Sequence, residues 1–243
     1  MKTVLVTGGS RGIGKSISTV LGKNYHVVVG YVTSKDTAAE VVSEIEESDG
    51  SASSVEIDIS SKESVDKAFT TLEELYGSVD ILINNGGITK DNILPRMKEE
   101  EWIDVIQTNL TGSFYTSQRA IKQMMKNKWG RIVFISSVVG MSGNQGQANY
   151  AASKAGLIAM SKSLALEYGK KNITVNCVSP GFIKSDMTDK ISEEHTELLK
   201  SRISLNKLGN PEDVANTIAF LSSNMSDYIT GETIHVNGGM YFS

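Results

Sequence analysis

An α/β fold, a doubly wound sheet of seven parallel strands with helices on both faces, is what this sequence predicts. Three observations carry the prediction. Short apolar runs alternate with amphipathic stretches of helical length from end to end. The first run leads directly into a glycine-rich turn that opens a helix. No linker, low-complexity segment or tandem repeat interrupts the alternation, so the 243 residues read as one domain, 1–243.

The strands are expected, in order, at residues 4–6, 27–29, 54–57, 80–83, 131–135, 173–178 and 233–236. Most are continuous apolar runs, as parallel strands covered on both faces require. Pro211-Glu212-Asp213 reads as a helix start, with proline in the first turn and acids at the positive end of the helix dipole. Only the stretch near 184–207 departs from simple alternation. It is polar, charged and too long for a tight loop, and reads either as a lid over a ligand or as a pair of surface helices.

Composition narrows the function. A hydrophobic fraction of 40% with 21% charged residues is that of an ordinary soluble chain. A net charge of −4 gives no reason to expect nucleic acid, which calls for a concentrated basic face, and no apolar run approaches the ~20 residues that span a bilayer. The single cysteine, Cys177, lies in an apolar run and reads as a buried thiol. Having no disulfide partner suits a reducing cytoplasm, and the strand-like opening at residues 2–6 leaves no room for a signal peptide. His26, His195 and His235 have no metal-ligand spacing, so no metal site is expected.

The turn after the first strand is Thr7-Gly8-Gly9-Ser10-Arg11-Gly12-Ile13-Gly14. Glycines allow close backbone approach, and the helix start offers free N–H groups and a positive dipole end to a pyrophosphate. An NAD-binding chain commonly has an acid at the end of its second strand to hold the ribose hydroxyls. Here there is none before Asp36; Thr33, Ser34 and Lys35 stand there, with Arg11 in the glycine turn. Arg11 suits a 2′-phosphate, which favours NADP(H). The plainer alternative is that Thr33 and Ser34 cap the next helix and Arg11 is solvated.

Tyr150 and Lys154 stand four residues apart, so on a helix they share one face. An ammonium beside a phenol favours the phenolate and lowers its pKa from ~10 toward neutrality, where it can trade a proton with a carbonyl oxygen. Alone, the pair is more often an aromatic ring over an aliphatic stem.

Taken together, these features resemble the short-chain dehydrogenase/reductase family along the whole chain. The glycine turn matches that family's Thr-Gly-x-x-x-Gly-x-Gly pattern, and Tyr150 with Lys154 matches its Tyr-x-x-x-Lys. The resemblance implies a Rossmann fold. It is carried further by residues 84–92, Ser136-Ser137-Val138-Val139-Gly140, residues 146–157, Ser179-Pro180-Gly181-Phe182-Ile183 and residues 228–241. These stretches are most similar to the branch that reduces 3-oxoacyl thioesters on acyl carrier protein in fatty acid synthesis. Reduction of another carbonyl, such as an acetoacetyl-CoA, is the nearer alternative; a non-catalytic dinucleotide sensor is the distant one. One departure is visible: the family usually has alanine where this chain has Gly86.

The resemblance implies a catalytic tetrad of Asn109, Ser137, Tyr150 and Lys154, with Ser137 and Tyr150 holding the substrate carbonyl and Asn109 holding a relay water. It implies cofactor contacts at Gly8, Gly9, Ser10, Arg11, Gly12, Ile13, Gly14, Thr33, Asp58, Ile59, Asn85, Tyr150, Lys154, Ile183 and Thr188. Asn85 and Ile183 have plain structural readings as a turn residue and a loop anchor. An acidic carrier protein calls for a basic dock, which the resemblance places at Lys128 and Lys171; Lys126, Arg131 and Lys170 extend these clusters. Met97, Met141, Met187 and Phe182 line an acyl path or simply fill the core. The family usually forms homotetramers, and the apolar tail Gly238–Phe242 fits a covered end.

Overall fold

In the computed structural model of the chain, residues 1–184 and 193–242 are described, 193–196 by their backbone alone. The elements run β1 (Thr3–Val6), α1 (Gly12–Gly22), β2 (His26–Tyr31), α2 (Lys35–Glu46), β3 (Ser51–Glu56), α3 (Lys62–Tyr76) and β4 (Ile81–Asn84). The second half follows as α4 (Glu99–Ile106), a π-turn (Gln107–Thr111), α5 (Gly112–Asn127), β5 (Gly130–Ile135), α6 (Val139–Ser142) and α7 (Ala148–Tyr168). It closes with β6 (Ile173–Pro180), α8 (Glu193–Lys200), α9 (Pro211–Ser222) and β7 (Thr233–Val236).

All seven strands pair in parallel in the order β3-β2-β1-β4-β5-β6-β7. The predicted α/β class and seven-stranded parallel sheet are therefore present. β3 begins earlier than its apolar signal, because Ser51, Ala52 and Ser53 pair with His26, Val27 and Val28 of β2. Pairing, not side-chain character, draws those serines into the sheet.

Alternation along the strands builds a core on each face. Leu5, Val28, Leu82, Phe134 and Cys177 pack on the side of α3, α5 and α7. Val4, Val6, Val27, Val29, Ile83 and Val133 pack on the side of α1, α2 and α9. Burial pushes the Cys177 thiol up to about 11, so it is a packing residue and not a nucleophile. α9 begins at Pro211 as expected, closed by a reciprocal capping box between Asn210 and Asp213.

The order reverses between β1 and β4, and the crevice that binds ligands in such sheets opens there, beyond the carboxyl ends of the strands. The glycine turn, Asn85, Ser137 and Ile183 all follow the carboxyl ends of β1, β4, β5 and β6. No helix among the described residues is long and apolar enough to cross a membrane.

Arg131 does not join an exposed basic cluster. It is fully buried inside β5, ion-paired with Asp227, its guanidinium 4.3 Å from the Trp129 ring centre. Asp227 lies 96 residues on, a pairing that local pattern cannot reveal.

Candidate active site

The glycine turn is held in place before any ligand is considered. Asn85 donates both hydrogens of its side-chain amide, to Thr7 O and Gly8 O, each at 3.0 Å. The Thr7 hydroxyl accepts from the N–H groups of Asn85 and Gly86 at 3.0 and 2.9 Å. A Cβ on Gly14 would meet Gly8 O at 2.1 Å, so α1 approaches the turn as closely as only glycine allows. Gly12 has φ +52 and open space where its Cβ would point. Arg11, at the N-cap, makes no side-chain cap bond, and the first turn of α1 has no acid. This open cradle with uncapped N–H groups fits a pyrophosphate.

Tyr150 lies in the first turn of α7 and Lys154 one turn on, so both face the crevice side of the helix. The Lys154 ammonium is 5.5 Å from the centre of the Tyr150 ring and donates to Ile135 O at 2.7 Å. Lys154 is only 4% exposed, and burial lowers its pKa to about 8. Ser137, in the turn after β5, accepts from Val139 N at 3.2 Å, and its hydroxyl acts on the Tyr150 phenol.

The phenol's shift has the opposite sign to that expected from the sequence. Burial raises it, the Ser137 hydrogen bond pulls it down, and the Asp91 carboxylate pushes it up further. Burial acts on both groups at once: it holds the phenol protonated and lowers the Lys154 ammonium to about 8. Near pH 7 the resting pair is therefore a neutral phenol beside an ammonium, which is the state a proton donor needs.

Asn109 sits in the π-turn, fully buried. Its Nδ2 donates to Ile88 O and Ser153 Oγ at 3.0 and 3.2 Å, and its Oδ1 accepts from Ile88 N at 2.8 Å. Its donors are spent, while Oδ1 keeps one acceptor lone pair. A Cβ on Gly87 would lie 3.0 Å from that Oδ1 and 3.7 Å from Lys154 Nζ, so glycine leaves a notch between the two groups. We expect Gly87→Ala to press on the clamped Asn109, destabilise the fold by about 1–3 kcal/mol and slow turnover. Thermal melts and steady-state rates check this.

A family model described as enoyl-(acyl carrier protein) reductase matches residues 8–241. Curated 3-oxoacyl-(acyl-carrier-protein) reductases are similar over nearly the full length. The Staphylococcus aureus protein is 49% identical over 241 residues, 99% of this chain and 98% of its own. The Aquifex aeolicus protein is 48% identical, covering 99% and 97%. The Vibrio cholerae protein is 45% identical over 240 residues, again covering 99% and 97%. The chain belongs to the short-chain dehydrogenase/reductase family.

Within this short-chain dehydrogenase/reductase, the remaining predicted residues are placed unevenly. Thr33 and Arg11 are exposed. Ser34, the N-cap of α2, makes no side-chain cap bond, so its hydroxyl is not engaged in capping. The Asp58 carboxylate is turned on Ser60, accepting from its N–H at 2.9 Å and its hydroxyl at 2.7 Å. Ile59 is buried, and a Cβ on Gly86 would press its end methyl at 2.9 Å. The missing methyl at Gly86 is thus room granted to Ile59. Ile183 is buried and bridges to Gly209. Thr188 and Met187 lie outside the described residues.

Lys128 and Lys171 are both exposed, and each precedes one of two neighbouring strands, since Gly130 and Ile173 are register partners at the start of β5 and β6. That is the opposite end of the sheet from Tyr150. The length of β5 separates them from the crevice, roughly 20 Å at ~3.3 Å per residue.

Sequence reasoning missed the scaffold around the tetrad. Asn149, fully buried, donates to Lys90 O at 2.9 Å and Glu101 O at 3.0 Å, tying the loop after β4 to α4 and α7. The available signal was that Asn149 stands in the stretch 146–157 that carries the family resemblance.

Proposed function

We propose that the protein is an NADPH-dependent reductase that converts 3-oxoacyl groups on acyl carrier protein to 3-hydroxyacyl groups, in the fatty acid synthesis of a reducing cytoplasm. One observation carries this reading: Tyr150, Ser137 and Lys154 converge beside a pyrophosphate cradle at the sheet's switch point. Full-length identity of 45–49% to proteins named for that reaction supports the substrate. The family model's enoyl label names a different double bond. A donor pair of Tyr150 and Ser137 suits an oxygen that gains charge, which favours the ketone.

Bound reduced nicotinamide supplies hydride to the carbonyl carbon. Ser137 holds the carbonyl oxygen and stabilises the charge that develops there. Tyr150 gives that oxygen its proton. Lys154 stabilises the phenolate left behind, and the notch at Gly87 admits a water between Lys154 Nζ and Asn109 Oδ1 for reprotonation. Gly8, Gly9, Ser10, Ile13 and Gly14 shape the pyrophosphate cradle. Asp58, Ile59, Ile183 and Thr188 frame the rest of the cofactor, and Asn85 acts by bracing the glycine turn.

Arg11 and Thr33, exposed beyond β1 and β2 with no acid before Asp36, favour a 2′-phosphate. Arg11→Ala should weaken NADPH binding about 10- to 100-fold and leave NADH nearly unchanged, read as KM for each coenzyme.

A homotetramer is part of this reading. Phe114 and Met125 on α5 and Leu166 on α7 are exposed apolar residues that a second copy would cover. In such an assembly, a carrier docked at Lys128 and Lys171 would feed a neighbouring copy's crevice.

Steady-state reduction of acetoacetyl-carrier protein and acetoacetyl-CoA, each with NADPH and NADH, tests the proposal. The expected result is the highest kcat/KM with the carrier-linked substrate and NADPH. Absence of coenzyme oxidation with both thioesters would overturn it.

A further inference from the structure

Side chains hold both backbone groups of Tyr150, and the two holds lead back to one short segment. Tyr150 is the third residue of α7, so its N–H has no partner within the helix. The Gln147 side chain, at the N-cap, makes no capping bond. Asn149 Oδ1 accepts from Tyr150 N instead, at 2.8 Å. Both hydrogens of the Asn149 amide go to other elements, donated to Lys90 O at 2.9 Å and Glu101 O at 3.0 Å. On the other side of the residue, the Ser153 hydroxyl donates to Tyr150 O at 2.7 Å and accepts from Asn109 Nδ2 at 3.2 Å. Asn109 in turn grips Ile88 by its N–H and its C=O, at 2.8 and 3.0 Å.

These bonds close a ring. It runs from Tyr150 N through Asn149 to Lys90, back along the chain to Ile88, through Asn109 to Ser153, and returns to Tyr150 O. Asn109, Asn149 and Ser153 are all fully buried, so each bond is made away from competing water. Asn149 also reaches α4, which runs directly into the π-turn that carries Asn109. Capping Tyr150 N would need the Asn149 oxygen alone. The further bonds join Tyr150 to the residue whose Oδ1 flanks the notch at Gly87.

We propose that Asn149 and Ser153 are positioning residues of the reduction: they fix the backbone of Tyr150 in register with Asn109, so that the phenol stays aligned with the carbonyl oxygen and with the relay. Each acts through Tyr150 and Asn109 from inside the core. The proposal rests on the reductase reading for its purpose, but one of its two readouts needs no substrate.

Ser153→Ala is the gentler cut, because Tyr150 O keeps its place in the backbone ladder of α7. Asn149→Ala opens the ring at its other end. Turnover is taken per coenzyme-binding site, so a smaller folded fraction does not mimic the effect. The expected result is a fall in kcat of about 10- to 100-fold in each variant, with KM for NADPH and for the thioester within about twofold of the parent. The two losses do not multiply in the double variant, since one cut already opens the ring. Parental kcat in Ser153→Ala, or losses that multiply, would overturn the proposal. The second readout is the carbon-13 Cζ resonance of Tyr150 in the substrate-free protein, assigned by its loss in Tyr150→Phe, which should move in both single variants. If the parent reduces neither thioester, the reductase reading falls and this resonance alone decides the ring: a signal left in place by both cuts ends the proposal.

Discussion

Replacing Tyr150 by phenylalanine is expected to lower kcat for ketone reduction by at least about 10³-fold while leaving the fold and cofactor binding in place. The ring stays, so the packing in the first turn of α7 stays. What is lost is the phenol O–H on which the Ser137 hydroxyl acts. Since burial already disfavours the phenolate there, the hydroxyl is held for its proton and not for stability. Cofactor binding, measured by fluorescence titration, should change less than about threefold, because the glycine turn is braced by Asn85 and Thr7. A variant that keeps more than about a tenth of parental turnover contradicts Tyr150 as the acid.

The second large effect concerns Lys154, where function and stability are set against each other. A lysine at about 8 instead of 10.5 carries a cost of about 3 kcal/mol whenever it is charged in the folded state. The sign follows from proton counting. The unfolded chain binds more protons than the folded one between pH ~8 and ~10.5, so stability rises with pH across that window. Lys154→Met removes the buried charge but leaves Ile135 O without its 2.7 Å donor, a loss of about 1–3 kcal/mol. The net expectation near pH 7 is a gain of about 1 kcal/mol in denaturant unfolding, with the rise between pH 8 and 10.5 flattened. Turnover should fall by about 10²- to 10³-fold, since the phenolate loses its cation. A variant that is less stable at pH 7 and still rises through that window would show that burial of the ammonium costs nothing.

The parts of this architecture that were legible in the sequence are those written locally. Four-residue spacing put Tyr150 and Lys154 on one face, and strand–glycine–helix order placed the cradle after β1. Seven short runs marked seven strands, while the serine-led start of β3 was hidden, because pairing to β2 created it. What was not legible depends on distant partners. Arg131 looks like a surface cation until Asp227 and Trp129 enclose it. Lys128 and Lys171 precede neighbouring strands, and strand direction sets both at the far end of the sheet from Tyr150. Asn149 lies in a stretch shared with the family, but its bonds to Lys90 O and Glu101 O come from chain segments that only the fold brings together. The direction of the Tyr150 shift was misread because spacing reveals a neighbour's charge but not the burial that acts on both groups.

The central claim is that the buried ammonium of Lys154 tunes the Tyr150 phenol when the cofactor is in place. NMR titration of tyrosine labelled with carbon-13 at Cζ, in the NADP⁺-loaded protein and in loaded Lys154→Met, measures this directly. The account predicts that Tyr150 loses its proton at lower pH in the parent than in the variant. Two titrations that coincide would mean that the lysine holds the strand end and the ribose but does nothing to the phenol.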